Sequence, residues 1–228
     1  MIGAQGHDMI GFNPRPGQVK GWSAQTLAHG ADSLVFFRYR AAVFGQEEFC
    51  YGVLDHYTKR GEGRKWQEAK DVYALARDYD QLWLAPIKAE VALLYDMVNI
   101  YAWQAQPQST AFDFATEAHR LYYPFWRNGV AVDVVAATRT LDSAGTGTSA
   151  EAAAALLARY KVLVLPAMMI VPDSSRAMAV LEAYVEAGGS IWVGYRSDLK
   201  DDRSQIRRAE SRLAQLAGGT SAAVERLH

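Results

Sequence analysis

The residues best suited to chemistry lie in a loop after a predicted buried strand at 33–39, where Glu47 and Glu48 stand side by side. An ionised carboxylate can accept two hydroxyl hydrogens, which suits it to a ligand rich in hydroxyl groups. Loops at the carboxyl ends of parallel strands are where a (β/α) barrel presents such groups. The loop is therefore the best candidate site, the alternative being a solvated loop acid with no ligand.

Two arginines on the predicted strand could serve the same site. Arg38 and Arg40 are separated by one residue, so their side chains share one side of an extended strand. They could line the mouth of a barrel or orient Glu47, or they could form structural ion pairs with other acids of the fold. We favour the structural role for Arg38 and keep Arg40 as a candidate ligand-binding residue.

Composition argues against several classes of function. The 228 residues are 50% hydrophobic and carry a net charge of −1, which gives no electrostatic footprint for nucleic acid or an anionic membrane. With one cysteine there is no intramolecular disulfide, and no cysteine–histidine cluster has zinc-site spacing, so we expect neither metal nor cofactor. The start of the chain does not resemble a signal peptide, and no apolar run approaches the roughly 20 residues that span a bilayer. We therefore expect a cytoplasmic protein.

The elements that position the loop form one helix–strand–helix step. A helix is predicted at 18–29, closed by Gly30 in the left-handed conformation, and a second helix at 66–79. The apolar face of the second helix collects Trp66, Ala69, Tyr73 and Ala76. A closed barrel needs eight such units and about 250 residues, so residues 1–84 would supply only its end.

A proline at position 86 marks a predicted boundary, with a second domain at 85–219 and a tail at 220–228. In the second domain, strands are expected at 89–95, 130–135, 162–165 and 191–195, and helices at 112–127, 150–158, from Asp173 or Ser174 to Gly188, and at 205–217. This alternation predicts an open parallel sheet covered on both faces, a flavodoxin-like α/β layer. The predicted buried face of the helix at 112–127 is Phe112, Ala115, His119, Tyr122, Tyr123 and Trp126.

Several of these segments resemble one family of enzymes. The sequences FRYR (37–40) and FGQEEF (44–49) resemble the last part of the catalytic barrel of glycoside hydrolase family 42, the β-galactosidases. The sequences AEVALLYD (89–96) and YVEAGGS (184–190) resemble the trimerisation domain of that family. The resemblance covers nearly the whole chain. It implies the last elements of a (β/α)8 barrel followed by a flavodoxin-like domain, similar to class I amidotransferases.

The resemblance also implies roles for particular residues. Retaining glycosidases use two carboxyl groups roughly 5–5.5 Å apart; in the resembled family they follow the fourth and seventh barrel strands. The strand at 33–39 would be the eighth, so no catalytic residue is assigned in this chain. Glu47 matches a carboxylate that binds sugar hydroxyls, and Cys50 stands where some members have a histidine, although burial suits a cysteine better. His7, in the loop after strand seven, and Arg40 complete the candidate sugar-binding residues.

These observations predict the C-terminal portion of a retaining β-galactosidase acting on terminal β-D-galactosides, inactive without the units that carry the catalytic pair. Its partners would be a β-galactoside, if the barrel is completed, and further copies of the chain in a homotrimer. The alternative is a non-catalytic module that self-associates or binds sugar. An amidotransferase-like hydrolase is disfavoured, because its cysteine nucleophile should follow a central strand and Cys50 lies in the other domain.

Overall fold

The computed structural model of the chain describes residues 11–142, 147–171, 175–209 and 211–219. The chain divides into two units, residues 1–87 and 88–228. Three sequence predictions lie outside the described residues: the placement of His7, the helix start at Asp173 or Ser174, and the tail at 220–228.

In its described part the first unit forms helices α1 (Gln18–Ala28), α2 (Arg64–Asp78) and the short α3 (Asp80–Trp83). Helix α1 confirms the helix predicted at 18–29. It ends as expected, because Gly30 has a φ of +90°, which glycine adopts without strain. The amide of Gly30 donates a hydrogen bond to the carbonyl oxygen of Leu27 at 2.9 Å.

The strand predicted at 33–39 is wrong. This segment is irregular, and nearby backbone pairing is limited to an isolated bridge between Arg40 and Leu54. The bridge is supported by hydrogen bonds of 2.8 Å from the Val53 amide to the Arg38 carbonyl and from the Leu54 amide to the Tyr39 carbonyl. A parallel strand needs a hydrogen-bonded neighbour, and residues 11–87 contain no strand that could supply one. Apolar sequence alone therefore does not produce a strand here.

Helix α2 is present as predicted, and Trp66 and Ala69 of its predicted face pack against a buried cluster, but Tyr73 is exposed. The side chains buried on α2 are Lys65, Glu68 and Val72. Charged groups can be buried when they are paired. Lys65 binds the carboxylate of Asp55, and the carboxylate of Glu68 accepts a hydrogen bond from Arg64 at 2.6 Å. A prediction of the buried face from apolar residues alone therefore misses buried side chains whose charges are paired.

The second unit contains a four-stranded sheet whose strand pairs are all parallel, in the order β2-β1-β3-β4. Its strands are β1 (Val91–Tyr95), β2 (Val132–Ala136), β3 (Val162–Leu165) and β4 (Ser190–Val193). Its helices are α4 (Met97–Ala105), α5 (Phe114–Arg127), α6 (Ala137–Asp142), α7 (Ser149–Arg159), α8 (Ser175–Glu186) and α9 (Arg212–Leu216). The predicted parallel sheet and its alternating helices are confirmed.

Three helices of this unit differ from the prediction. Helices α4 and α6 were not predicted, because α4 follows β1 after one residue and α6 follows β2 directly, so no loop separates either helix from its strand. The helix predicted at 205–217 is reduced to α9. Ser211 caps α9 by accepting a hydrogen bond from the Ala214 amide at 3.1 Å, and Ile206 lies in a backbone bridge with Lys200 instead of a helix.

The buried face predicted for the helix at 112–127, α5 in the structure, is correct only in part: Phe112 and Tyr122 pack against the buried clusters, whereas the other predicted residues are exposed. Asp113 caps the helix, accepting a hydrogen bond from the Thr116 amide at 2.7 Å. The face that packs inward carries Phe114, Ala118, Leu121, Tyr122 and Phe125. Outside it, His119, Tyr123 and Trp126 are exposed. Both stripes of this helix are apolar or aromatic, so helical periodicity could not choose between them.

The two sides of the sheet are covered unequally. On one side, Ala92, Leu94, Leu163 and Leu165 belong to a large buried cluster with residues of α6, α7, α8 and α9. On the other side, the buried cluster draws helical residues from α5 only, among those the structure describes. Hydrogen-bond register places one row of side chains across this second side: Val134, Leu93, Val164 and Trp192.

The ends of that row are open. Leu93 and Val164 in the middle are 1% and 2% exposed, whereas Val134 on β2 and Trp192 on β4 are 55% and 44% exposed. The expectation of a sheet covered on both faces therefore fails at its outer strands. One helix is about 10 Å wide, whereas four strands spaced about 4.8 Å apart are wider, so α5 cannot cover them all.

Candidate functional site

The carboxylate of Glu47 is held by Arg38. The Arg38 Nη2 atom donates to Glu47 Oε2, and the side chains of the pair are 22% and 44% exposed respectively. The Arg38 guanidinium also lies over the ring of Phe37, 4.9 Å from its centroid. Among the described residues no donor reaches Glu47 Oε1. The arginine thus binds one carboxylate oxygen of Glu47, an ion pair that fits both the structural role favoured for Arg38 and the alternative role of orienting Glu47.

The loop that carries Glu47 is built from tight turns. The Glu48 amide donates to the Gly45 carbonyl at 3.1 Å, and the Cys50 amide donates to the Glu47 carbonyl at 3.0 Å. Gly45 has a φ of +88°, which makes glycine the residue of choice at this position. Cys50 is 3% exposed. Its thiol therefore lies in the interior while the neighbouring Glu47 carboxylate is accessible to solvent.

Of the other candidate residues, the structure describes Arg40 and Cys50. Arg40 is exposed, and its Nη1 atom donates to the carbonyl oxygen of Thr58 at 3.3 Å. His7 lies outside the described residues. The structure thus brings Arg38 and Glu47 together, buries Cys50, and directs Arg40 to a loop carbonyl.

A second set of contacts fastens the loop to α2, and the sequence analysis missed it. Lys65 is buried; its Nζ atom binds Asp55 Oδ1 and lies 5.4 Å from the ring centroid of Tyr51. His56 packs edge-on against Tyr51, with ring centroids 5.5 Å apart, and its Nε2 atom lies 2.7 Å from the Ala42 carbonyl oxygen. These contacts join the C-terminal end of the loop to α2, and the two ends of the loop to each other. No local pattern marks this anchor, because Lys65 and Asp55 look like solvated surface charges in the sequence.

The carboxyl edge of the sheet in the second unit is filled by the protein itself. Such an edge is where open parallel sheets bind ligands. Here the side chain of Asn99 binds both backbone groups of Ile170, at 2.8 and 2.9 Å, and Trp103 Nε1 donates to the Ala167 carbonyl at 2.9 Å. Asp198 is buried and pairs with Arg207 at 3.0 Å. The polar side chains of Asn99, Trp103 and Asp198 thus have partners within the second unit.

Three further observations bear on possible ligands and partners. A shallow depression of about 510 Å³ lies at the end of α1, lined by Gln25, Thr26, His29, Gly30 and Ala31, and it carries no acid. Among the described residues no group of three or more histidine, cysteine, aspartate or glutamate side chains could hold a metal ion. In the same part of the chain, no helix is both long and apolar enough to cross a membrane. Glu47 with Arg38 remains the best candidate site.

An oriented, accessible carboxylate suits a ligand rich in hydroxyl groups, and the second unit is a parallel α/β layer, so fold and site together fit a carbohydrate-active protein. The family described as "β-galactosidase" (glycoside hydrolase family 42) matches residues 4–78. The family described as "β-galactosidase trimerisation domain" matches residues 89–146 and 139–228. The chain belongs to the glycoside hydrolase family 42 β-galactosidases, and its second unit to their trimerisation domain.

Individual relatives agree. The β-galactosidase BgaA of Clostridium cellulovorans is 28% identical over 188 residues, covering 82% of this chain and 26% of the relative. The β-galactosidase BgaA of Thermus sp. is 31% identical over 197 residues, covering 86% and 26%. The solved structure of the β-galactosidase of Halorubrum lacusprofundi is 25% identical, with a TM-score of 0.78 over 100% of this chain and 31% of that chain. The chain spans about a quarter of the length of the curated relatives it matches.

Proposed function

We propose that this chain supplies the last elements of the catalytic (β/α)8 barrel and the trimerisation domain of a retaining β-galactosidase that acts on terminal β-D-galactosides. Residues 1–84 form the end of the barrel, and residues 85–219 form the flavodoxin-like, amidotransferase-like domain. The order of the two family matches along the chain carries this proposal. Cytoplasmic location and a homotrimeric state are part of it.

In this proposal Glu47 binds sugar and does not carry out the chemistry. A retaining mechanism needs an acid/base and a nucleophile facing each other about 5–5.5 Å apart across the glycosidic bond. One carboxylate oxygen of Glu47 binds Arg38, so the second oxygen is suited to accept a hydrogen bond from a galactoside hydroxyl group. The catalytic pair belongs to barrel strands that precede the family match, and the chain by itself is inactive.

Arg38 contributes by positioning. An arginine beside a carboxylate restricts the rotamers of the acid and stabilises it at the angle that a sugar requires. Arg40 and Cys50 remain candidate neighbours of the sugar. Arg40 would need to leave the Thr58 carbonyl, and Cys50 would act by shaping the wall of the pocket from the interior.

A fusion experiment tests the role of Glu47. The barrel segment of the Thermus sp. relative that precedes the matched region is joined to this chain, and hydrolysis of an aryl β-galactoside is measured. Losing a hydrogen bond to a charged group costs about 1.5–3 kcal/mol, so Glu47→Gln should lower kcat/KM by roughly 10- to 150-fold. Glu48→Gln is the matched control. The Glu48 carboxylate is next to Glu47 in the chain and makes no ion pair with the described residues. Equal activity of the two variants would refute the assignment.

A second function is favoured by the match to a trimerisation domain, which covers most of the second unit. We propose that the chain self-associates through this unit even without a complete barrel. Sedimentation of the purified chain should then show a mass of three copies, and a monomer at every concentration would refute this function while leaving the role of Glu47 intact.

A further inference from the structure

An exposed line of aromatic rings runs along α5. His119, Tyr123 and Trp126 are spaced four and three residues apart, which places them on one stripe of the helix. The ring centroids of His119 and Tyr123 are 6.1 Å apart, and those of Tyr123 and Trp126 are 5.6 Å apart. Tyr123 and Trp126 are 43% and 47% exposed. These three residues are called the aromatic ridge.

The ridge belongs to the side of the sheet that the second unit leaves incompletely covered. Helix α5 supplies the helical residues of the buried cluster on that side, and the apolar row beneath it is open at Val134 and at Trp192. Parallel sheets are normally buried on both faces, because their strands are apolar on both. An aromatic ridge above an open apolar sheet is therefore a surface that should be covered by another protein.

The composition of the surface fits a protein partner. Tryptophan, tyrosine and arginine are the residues that most often anchor interfaces. Arg120 and Arg127 lie on the same helix as the ridge, and both are exposed. Arg120 makes only a loose ion pair with Glu117, at 3.9 Å, so its charge remains available at the rim.

We propose that the aromatic ridge is the surface through which the second unit packs against another copy of this chain. The inference rests on the proposed self-association and names its location. A second copy is the favoured occupant because residues 89–146, which contain α5, match a trimerisation domain. With a net charge of −1, copies of the chain repel one another only weakly by electrostatics. In a cyclic trimer each interface joins two different surfaces of neighbouring copies. The ridge of one copy therefore packs against a different surface of the next copy.

The test compares surface variants of the full chain by sedimentation velocity over a wide range of concentration. Tyr123→Glu and Trp126→Glu each place a charge on the ridge, and glutamate is a good helix former, so α5 should persist. Tyr101→Glu is the matched control, because Tyr101 is an exposed aromatic residue on α4 outside the ridge. Loss of a central interface aromatic raises the dissociation constant by roughly 30-fold or more.

The expected result is an oligomer for the unaltered chain and for Tyr101→Glu, with dissociation in both ridge variants. Hydroxyl-radical footprinting of the unaltered chain supplies an independent reading, in which Tyr123 and Trp126 become protected as concentration rises. An oligomer that survives both ridge variants, with both residues unprotected, would overturn the proposed surface while leaving self-association standing. If the unaltered chain is a monomer, both self-association and the proposed surface are overturned. The ridge would then be a surface that another segment of a longer protein covers.

Discussion

Replacing Asn99 by alanine should destabilise the second unit strongly. Asn99 is 1% exposed, its Nδ2 atom donates to the Ile170 carbonyl at 2.8 Å, and its Oδ1 atom accepts from the Ile170 amide at 2.9 Å. Alanine would leave two buried backbone groups without a partner. Each such group costs about 1–3 kcal/mol, so the expected loss is roughly 2–6 kcal/mol.

This loss of stability can be measured by hydrogen exchange with mass spectrometry on peptides that contain Ile170. The measurement is local and does not assume that the two units unfold together. A loss of about 2 kcal/mol corresponds to roughly 30-fold faster exchange. Gln104→Ala is the control, because Gln104 is exposed on the same helix and should change stability by no more than about 0.5 kcal/mol. If the Asn99 and Gln104 variants exchange equally, the clamp on Ile170 contributes nothing and the reasoning is refuted.

Three further predictions concern the second unit and α1. Burial raises the pKa of Tyr184 from 10.0 to about 12, and burial together with the hydrogen bond to Asp133 raises the pKa of Tyr160 to about 12. Because the folded state holds these phenol protons more tightly than the unfolded state, their contribution to stability should be complete below pH 10 and fall as the pH rises toward 12. Tyr184→Phe should flatten, without abolishing, the fall in denaturation midpoint between about pH 10 and 12, and an unchanged slope would contradict this. Gly194→Ala should destabilise by about 1–3 kcal/mol, since a Cβ would lie 2.4 Å from a backbone nitrogen, and an unchanged melting temperature would contradict it. Gly21→Ala in α1 meets nothing within 4 Å and should stabilise by roughly 0.5–1 kcal/mol; a lowered melting temperature would count against it.

The parts of the fold that sequence predicts are those governed by local signals. Helix α1 ends where Gly30 can adopt a positive φ, and β3 occupies the same residues as the predicted strand, 162–165, because its apolar run is short and clearly bounded. The order of strands and helices follows from alternation, since parallel strands require crossover helices. These features depend on residues close together in the chain.

The remaining features depend on partners distant in sequence. The segment at 33–39 has the composition of a strand but no neighbouring strand to bond in the described first unit. The inward faces of α2 and α5 depend on what each helix packs against, so a charged Lys65 is buried on one and an aromatic Trp126 is exposed on the other. The clamp between Asn99 and Ile170 spans 71 residues and leaves no local pattern.

The candidate site divides in the same way. Residue type and the matching sequence around it identify Glu47 as a sugar-binding candidate. Its pairing with Arg38 is seen only in the folded loop, and the pair fits both roles considered for Arg38, the structural one and the orienting one. The anchoring of the loop through Lys65 and Asp55 could not be anticipated, because both residues look like solvated surface charges in the sequence.

The most direct test of the central claim is the hydrolysis of an aryl β-galactoside by the purified 228-residue chain at high concentration, beside its Glu47→Gln variant. We expect no turnover by either protein, because the proposed function assigns the acid/base and nucleophile to barrel strands that precede the matched region. Turnover by the unaltered chain that disappears in the variant would contradict it. That result would mean that carboxylates within this chain form a complete active site that includes Glu47.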